Sequence, residues 1–333
     1  MIGLLLFLIG KPSFVFLDTI YVPTDSATPQ KAWNGITDST LVILENGTYN
    51  ITTPLVYGAG PGTSANMIGM QGTGAESVII DANGSCAGFC FQPVETQTRE
   101  NLLLQDFTMR EGKYGYGAGF LASHTPTGPF IGSIVLRRIK WVNDSATAMG
   151  VIYITPWNGA DCDSIWIENS LFDGCGYPGK VLLDLRQDYG SSPSGKLYFI
   201  NNTIINCISI YMLNIYQLRG YVFNTIIWNN TTSGLQLCYL DGVYNSDWDT
   251  SSYNEVPIRV DNIEEDPLFI NAGSNYRLQT GSPCKDVGYD VSAIITENKD
   301  LDGYTWTGTY EMGCYSYLEY LKVKLSTLEF YMH

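Results

Sequence analysis

The run Lys180–Asp188 is the clearest candidate for chemistry in this sequence. Asp184, Arg186 and Asp188 alternate along it, so on a β-strand their side chains share one face. Carboxylates beside an arginine can hold calcium and take a proton from a carbon next to a carboxylate. The alternative interpretation, which we favour, is a salt-bridged strand that faces solvent and has no catalytic role.

A second candidate is the triplet Arg138-Ile139-Lys140, which falls in the apolar register of a repeat. Neither His124 nor His333 lies between glycines, and no two aspartates are adjacent in the sequence. The pattern therefore gives little support to a general acid and base at this triplet. With only two histidines and no Cys-x-x-Cys pair, it also argues against a zinc site.

Acidic turns form a third group of candidates, because their carboxylates could bind calcium. The turn Asp300-Leu301-Asp302-Gly303 lacks the later glutamate of an EF-hand loop, so we interpret it as a structural turn. No metal site and no other cofactor is predicted. The remaining acidic residues of this group are Asp161, Asp163, Asp247 and Asp249.

These candidates must be positioned by a repeating scaffold. A pattern of an apolar residue, a polar corner and two further apolar residues recurs at Asp106, Arg138, Asn169, Asn202 and Asn224. Intervals of roughly 20–50 residues are typical of solenoids. The repeats are short, rich in β-branched residues and followed by turn residues, which indicates strands. We therefore predict an all-β fold, a single-stranded right-handed parallel β-helix with terminal caps.

In such a fold, positions one coil apart lie in register. Asn169, Asn202 and Asn224 should then stack as a corner ladder whose amides bond along the stack. The core should contain two apolar columns: Leu104/Leu136/Ile167/Ile200 and Met109/Trp141/Phe172/Ile205.

The chain divides into three parts on this interpretation. Residues 1–34 are an apolar segment and the first strands, residues 35–316 are the β-helix with a C-terminal module from about residue 250, and residues 317–333 are a tail or cap. Residues 1–10 could be a signal-peptide core, a strand that caps the solenoid, or a segment exchanged between subunits, and these interpretations stay open. No stretch is long enough to span a bilayer.

Composition restricts the partners. The net charge of −15 argues against nucleic acid and anionic membranes, and against a polyanionic substrate unless calcium intervenes. The even cysteine count and several N-glycosylation sequons favour a secreted glycoprotein that carries N-linked glycans. The predicted disulfides pair sequence neighbours: Cys86–Cys90, Cys162–Cys175, Cys207–Cys238 and Cys284–Cys314. The sequons are at Asn46, Asn50, Asn83, Asn143, Asn201, Asn229 and Asn230.

The C-terminal part carries motifs that resemble the pectate-lyase-like superfamily of right-handed parallel β-helix proteins. These are Asn-Thr-Ile-Ile-Trp-Asn-Asn at 224–230, Asp266-Pro-Leu-Phe-Ile, Tyr276-Arg-Leu, Gly281-Ser-Pro-Cys and the tail from Asp300-Leu-Asp-Gly to Glu311-Met-Gly-Cys. The resemblance covers about residues 35–316. It implies the fold and no single function, because members include lyases, hydrolases, adhesins and structural proteins.

We expect a secreted protein at a cell surface or in the extracellular matrix, with a role in carbohydrate binding or in assembly, for example as a filament subunit. The alternative is a polysaccharide lyase or glycoside hydrolase that acts on acidic polysaccharide in a groove along the β-helix. Asp184, Arg186 and Asp188 would then be catalytic. Loop aromatic residues that could stack on sugars are Tyr114, Tyr116, Trp157, Tyr189, Trp248 and Tyr253.

Overall fold

The protein is described here from a computed structural model. It covers residues 11–34, 36, 39–57, 67–91, 100–123, 131–155, 162–186, 195–216, 218–231, 235–237, 240–248, 253–254 and 258–317. Residues 1–10 and 318–333, which make up most of the predicted apolar start and C-terminal tail, lie outside these ranges. No helix in the described part of the chain is long and apolar enough to cross a membrane.

Strands stack in parallel along almost the whole described chain, with one short helix near the start. The first elements are β1 (Asp18–Val22), α1 (Pro29–Asn34), β2 (Thr40–Leu44), β3 (Gly47–Asn50), β4 (Leu55–Tyr57), β5 (Met67–Gly72), β6 (Val78–Asp81), β7 (Phe89–Phe91), β8 (Glu100–Arg110), β9 (Lys113–Tyr116), β10 (Phe120–Ser123), β11 (Ile131–Val142), β12 (Ser145–Met149) and β13 (Ile152–Thr155). The remaining elements are β14 (Cys162–Glu168), β15 (Leu171–Asp173), β16 (Val181–Arg186), β17 (Lys196–Ile200), β18 (Thr203–Ile205), β19 (Tyr211–Tyr216), β20 (Arg219–Phe223), β21 (Ile226–Trp228), β22 (Leu235–Leu237), β23 (Gly242–Tyr244), β24 (Asp247–Trp248), β25 (Tyr253–Asn254), β26 (Arg259–Val260), β27 (Phe269–Asn271) and β28 (Asn275–Leu278).

Two large parallel sheets form the walls of the solenoid. The first sheet has 16 strands and follows the path β1-β2-β5-β8-β11-β14-β17-β20-β23-β26, with β3, β6, β15, β18, β21 and β24 beside it. The second sheet has 8 strands, in the order β25-β22-β19-β16-β13-β10-β7-β4. One coil therefore runs through β14, β15 and β16 before it returns to β17. The predicted all-β parallel β-helix is confirmed.

A corner with left-handed backbone separates β14 from β15 and recurs in the coils from β8 to β26. Asparagine adopts positive φ more readily than most residues, which explains its frequency there. The corner residues with positive φ are Asp106, Arg138, Asn169, Asn201, Asn224, Asn245 and Asp261.

The corner ladder exists, but one predicted member is wrong. Asn201 Nδ2 donates to Asn169 Oδ1 at 3.0 Å, and Asn224 Nδ2 donates to Asn201 Oδ1 at 2.9 Å. Asn202 lies one place further along and accepts a bond from Ser170 N at 3.0 Å.

The same one-residue shift changes the predicted core columns. Phe199 rather than Ile200 pairs with Ile167, and Ile204 rather than Ile205 pairs with Phe172. A shift of one residue on a strand moves each side chain to the opposite face.

The segment after β26, residues 266–317, folds back over the corner, and we call it the clasp. Thr296 N donates to Glu168 Oε1 at 2.9 Å, and Gly313 N donates to Asn224 O at 2.6 Å. Its apolar side chains cover both sides of the ladder. One cluster joins Trp166 and Tyr198 to Trp306 of the clasp, and a second contains Ile226 together with clasp residues. The clasp therefore seals the corner of the first sheet from solvent.

Burial under the clasp argues against the predicted glycosylation of Asn201. This side chain is fully buried and bonded at both ends of its amide, so a glycan does not fit there. Asn230 is half-buried, and its amide donates to Ile204 O at 3.0 Å. The exposed sequon residues, where N-linked glycans stay a prediction, are Asn46, Asn50, Asn83, Asn143 and Asn229.

The structure forms none of the predicted disulfides among its described residues. The predicted pairs join cysteines that are neighbours in sequence, whereas a solenoid brings together residues that are one coil apart. Cys238, the partner predicted for Cys207, lies outside the described residues. The buried cysteines in the described part of the chain are Cys86, Cys90, Cys162, Cys175, Cys207, Cys284 and Cys314.

Two carboxyl groups of the clasp, Glu297 and Glu311, should make the protein most stable at an acidic pH. Burial opposes ionisation of Glu297, but the charges of Arg138 and Arg137 and a bond from Lys299 lower its pKa to about 2. Burial raises the pKa of Glu311 to about 7. Glu297 thus contributes stability above its ordinary pKa of 4.5, which is lost as the pH falls towards 2. Glu311 contributes stability below 4.5, which is lost as the pH rises through 7.

We expect the free energy of unfolding to be highest near pH 4.5 and to fall on both sides. Urea unfolding at a series of pH values measures this directly. Because Glu311→Gln removes the titrating group, its decline between pH 4.5 and 7 should be shallower than that of the unmodified chain. Equal slopes for the two proteins would contradict the assignment to Glu311.

Candidate functional site

Asp184 and Arg186 form a close ion pair on the outer face of β16. Arg186 Nε lies 2.6 Å from Asp184 Oδ1, and Arg186 Nη2 lies 2.8 Å from Asp184 Oδ2. Alternation along the strand places both side chains on one face, as the sequence predicted. The carboxylate is fully buried, whereas the arginine side chain is 31% exposed. The pair therefore presents a guanidinium group, not a carboxylate, to solvent.

Neighbouring coils supply further polar and aromatic groups through the register of the second sheet. Tyr153 of β13 and Asn214 of β19 lie beside Asp184 on either side. Asn214 Nδ2 donates to Asp184 Oδ1 at 2.8 Å. Burial raises the pKa of Asp184, while the bonds from Arg186 and Asn214 oppose that rise. Both carboxylate oxygens accept hydrogen bonds, so Asp184 holds the donor groups of Arg186 and Asn214 in place.

The small parallel sheet of β9 and β12 lies beside this group. The rings of Tyr116 and Tyr153 have centroids 5.6 Å apart, and Met149 Sδ lies 4.0 Å from Arg186 Nη2. Tyr153 also packs with Leu121 and Met149 in a cluster outside the main core. These contacts join the polar group to an aromatic surface.

Three exposed tyrosines continue this surface. Tyr114 pairs with Ala146 on the next coil, and Gly176 N donates to Asp144 O at 2.8 Å, so Tyr177 follows in the same turn one coil further on. We call the set Tyr114, Tyr116, Tyr153 and Tyr177 the tyrosine face. Tyr114, Tyr116 and Tyr177 are each more than two-fifths exposed. An aromatic surface of this kind suits a ligand with apolar faces and polar edges.

Arg137 is not part of this group. It lies in the first sheet, where Nε donates to Gln105 Oε1 at 2.5 Å and Nη2 lies 3.0 Å from Glu297 Oε2. Asp188 is outside the described residues. The same holds for the side chains of the predicted loop aromatics Trp157, Tyr189, Trp248 and Tyr253.

The triplet Arg138-Ile139-Lys140 is held under the clasp. Arg138 is 2% exposed and pairs with Asp106 Oδ1 at 2.6 Å. Ile139 is in the core, and Lys140 pairs with Glu76. These contacts support a structural role for the triplet.

Among the described residues, no three His, Cys, Asp or Glu side chains gather as a metal site would require. Asp300 accepts bonds from the backbone N–H groups of Asp302, Tyr304 and Ser316, and Asp302 pairs with Arg277. These bonds support a structural turn there. Asp161 and Asp249 lie outside the described residues.

Tyr116 is one of the predicted loop aromatics, whereas Tyr153, Asn214 and Met149 were not predicted as site residues. The coil period offered a signal for two of them, because Tyr153 and Asn214 each lie about one repeat from Asp184. No sequence signal indicates Met149, since its contact depends on how β12 lies across the second sheet.

Comparisons with known proteins add little. No protein-family model and no curated protein matches the sequence. A search of solved structures returns the crystal structure of pectate lyase Pel9A, with 12% sequence identity and a TM-score of 0.29. The match covers 91% of this chain and 97% of that one.

Proposed function

We propose that this protein binds a neutral carbohydrate on the tyrosine face. The observation that supports the proposal is the position of Tyr116 and Tyr153 beside the hydrogen-bonded group of Asp184, Arg186 and Asn214. Tyrosine rings pack against the apolar face of a sugar ring, and a few fixed polar groups then orient its hydroxyls. The net charge of −15 disfavours an anionic polysaccharide.

The proposal includes an extracellular location, at a cell surface or in a matrix. Exposed sequons such as Asn46 and Asn143 support N-linked glycosylation there. Assembly into filaments through residues 1–10 and 317–333 is proposed as a further structural role, on the apolar sequence of these segments.

Titration with a panel of neutral and acidic polysaccharides, followed by calorimetry, tests the binding. We expect saturable binding to at least one neutral polysaccharide. Tyr116→Ala should weaken that binding about tenfold, because loss of one stacked aromatic ring costs about 1.4 kcal/mol.

Tyr21→Ala is the matched control. Tyr21 is about as exposed as Tyr116, at 43% against 47%, but it lies on β1 of the first sheet. Its replacement should leave the affinity unchanged. Binding that is equally weakened in both variants, or absent for every polysaccharide, would refute the proposal.

A polysaccharide lyase is the second candidate, because Arg186 is partly exposed beside Asp184 on the outer face of the second sheet. Incubating the protein with the uronate polysaccharides of that panel, with and without calcium, distinguishes a lyase from a binding protein. Products that absorb ultraviolet light as unsaturated uronates would establish the lyase and displace simple binding. We expect none, since the arginine and the carboxylate are bonded to each other through both pairs of atoms.

A further inference from the structure

Cys175 and Cys207 lie one above the other, in the turns that follow β15 and β18. Cys175 and Cys207 are flanked by the register pairs Asp173↔Ile205 and Gly176↔Ile208. They therefore hold equivalent positions on adjacent coils. Parallel neighbours in register are about 4.8 Å apart, which is within the roughly 4.4–6.8 Å between the Cα atoms of a disulfide.

Their side chains also point the same way. Cys175 Sγ lies 3.2 Å from Trp141 O, and Cys207 Sγ lies 3.6 Å from Phe172 O. Trp141 and Phe172 are themselves register partners. The two thiols thus repeat one arrangement on successive coils.

Both thiols are shielded from solvent, at 1% and 0% exposure. Burial and the neighbouring thiol raise the pKa of Cys175 well above its ordinary value. The thiolate that attacks a disulfide is therefore scarce once the coil has closed. Oxidation of this pair must accompany folding rather than follow it.

We propose that Cys175 and Cys207 form a disulfide bond between adjacent coils when the chain folds in an oxidising compartment. The oxidant is a small-molecule disulfide such as oxidised glutathione. One cysteine thiolate attacks it, forms a mixed disulfide and releases one glutathione thiolate. The second cysteine thiolate then attacks the protein sulfur of the mixed disulfide and releases the other glutathione.

Each oxidised glutathione thus takes two electrons, and the two thiol protons end on the released glutathiones. The bond would close one complete coil of the solenoid, which restricts the unfolded chain and stabilises the fold. It would replace the pairings Cys162–Cys175 and Cys207–Cys238 that neighbours in sequence suggested.

Peptide mapping of the whole chain tests the bond. The chain is refolded in a glutathione redox buffer or in excess reductant, its remaining thiols are alkylated in denaturant, and its peptides are analysed by mass spectrometry. We expect a linked peptide pair that contains Cys175 and Cys207 in the oxidised sample alone. Two alkylated cysteines in the oxidised sample, or a link from either one to another cysteine, would overturn the proposal.

Thermal unfolding gives an independent readout. The oxidised chain should melt at a higher temperature than the reduced chain, and Cys207→Ala should abolish the difference and leave Cys175 alkylated. Cys86→Ala replaces another buried cysteine and should retain the difference. A redox-dependent melting temperature that survives Cys207→Ala would assign the effect to a different pair and refute this one.

Discussion

Replacing Arg138 with alanine is expected to lower the free energy of unfolding by about 3 kcal/mol. Arg138 is almost fully buried, its Nε lies 2.6 Å from Asp106 Oδ1, and its Nη1 lies 2.9 Å from Glu297 Oε2. Removing one partner of a buried ion pair costs about 3–5 kcal/mol, because the remaining charge is left without compensation. Asp106 and Glu297 keep some contact with solvent, so the lower end of that range applies.

Lys299→Ala is the control within the same network. Lys299 Nζ lies 2.7 Å from Glu297 Oε1, but its side chain is 43% exposed. Exposed pairs contribute about 0–1 kcal/mol, so this variant should unfold close to the unmodified chain. Urea unfolding of the three proteins measures both values. Similar losses of unfolding free energy for Arg138→Ala and Lys299→Ala would contradict the larger contribution that we assign to the buried ion pairs of Arg138.

The position of Arg138 also bears on function. A hydrolase that used the triplet Arg138-Ile139-Lys140 would need the arginine within reach of substrate, and the clasp covers it. We therefore expect Arg138→Ala to change stability and to leave the proposed carbohydrate binding at the tyrosine face unchanged. Glu168, also fully buried, bonds Thr296 of the clasp and supports the same structural interpretation.

The repeat pattern predicted the fold, but its register was off by one residue at one coil. Asn201 and Asn202 are adjacent, and the pairing of Asn with a following Ser or Thr favoured Asn202. The backbone decides otherwise, because Asn201 has positive φ, at 52°, and Ile200 pairs with Glu168. Both asparagines make ladder-like bonds, so residue type alone could not distinguish them.

The sequence indicated a C-terminal module, but the position of the clasp over the corner could not be predicted, because its contacts join residues far apart in sequence. Thr296 and Glu168 are 128 residues apart, and Tyr276 and Asp173 are 103 apart. Hydrophobic periodicity reports only on neighbours within an element. The same limit applies to the contact of Met149 with Arg186. Asp184 and Arg186, in contrast, lie two residues apart on one strand, so alternation alone predicted their shared face.

Gly220→Ala is the second substitution with a large expected effect. Gly220 lies in β20 with φ 138°, and an added Cβ would be 1.9 Å from Leu197 O of the adjacent coil. Backbone strain of about 1–2 kcal/mol and overpacking of about 1–3 kcal/mol both apply. The free energy of unfolding should therefore fall by about 2–5 kcal/mol in urea.

Gly84→Ala separates these two causes. Gly84 has φ 66°, and an added Cβ would meet no atom within 4 Å. Only the strain of a left-handed backbone applies there, so we expect a loss of about 1–2 kcal/mol. If Gly220→Ala costs no more than Gly84→Ala, the coils can separate to admit a methyl group at little cost. A larger loss at Gly220 means that the spacing between the coils of β17 and β20 is rigid and cannot relax to admit a methyl group.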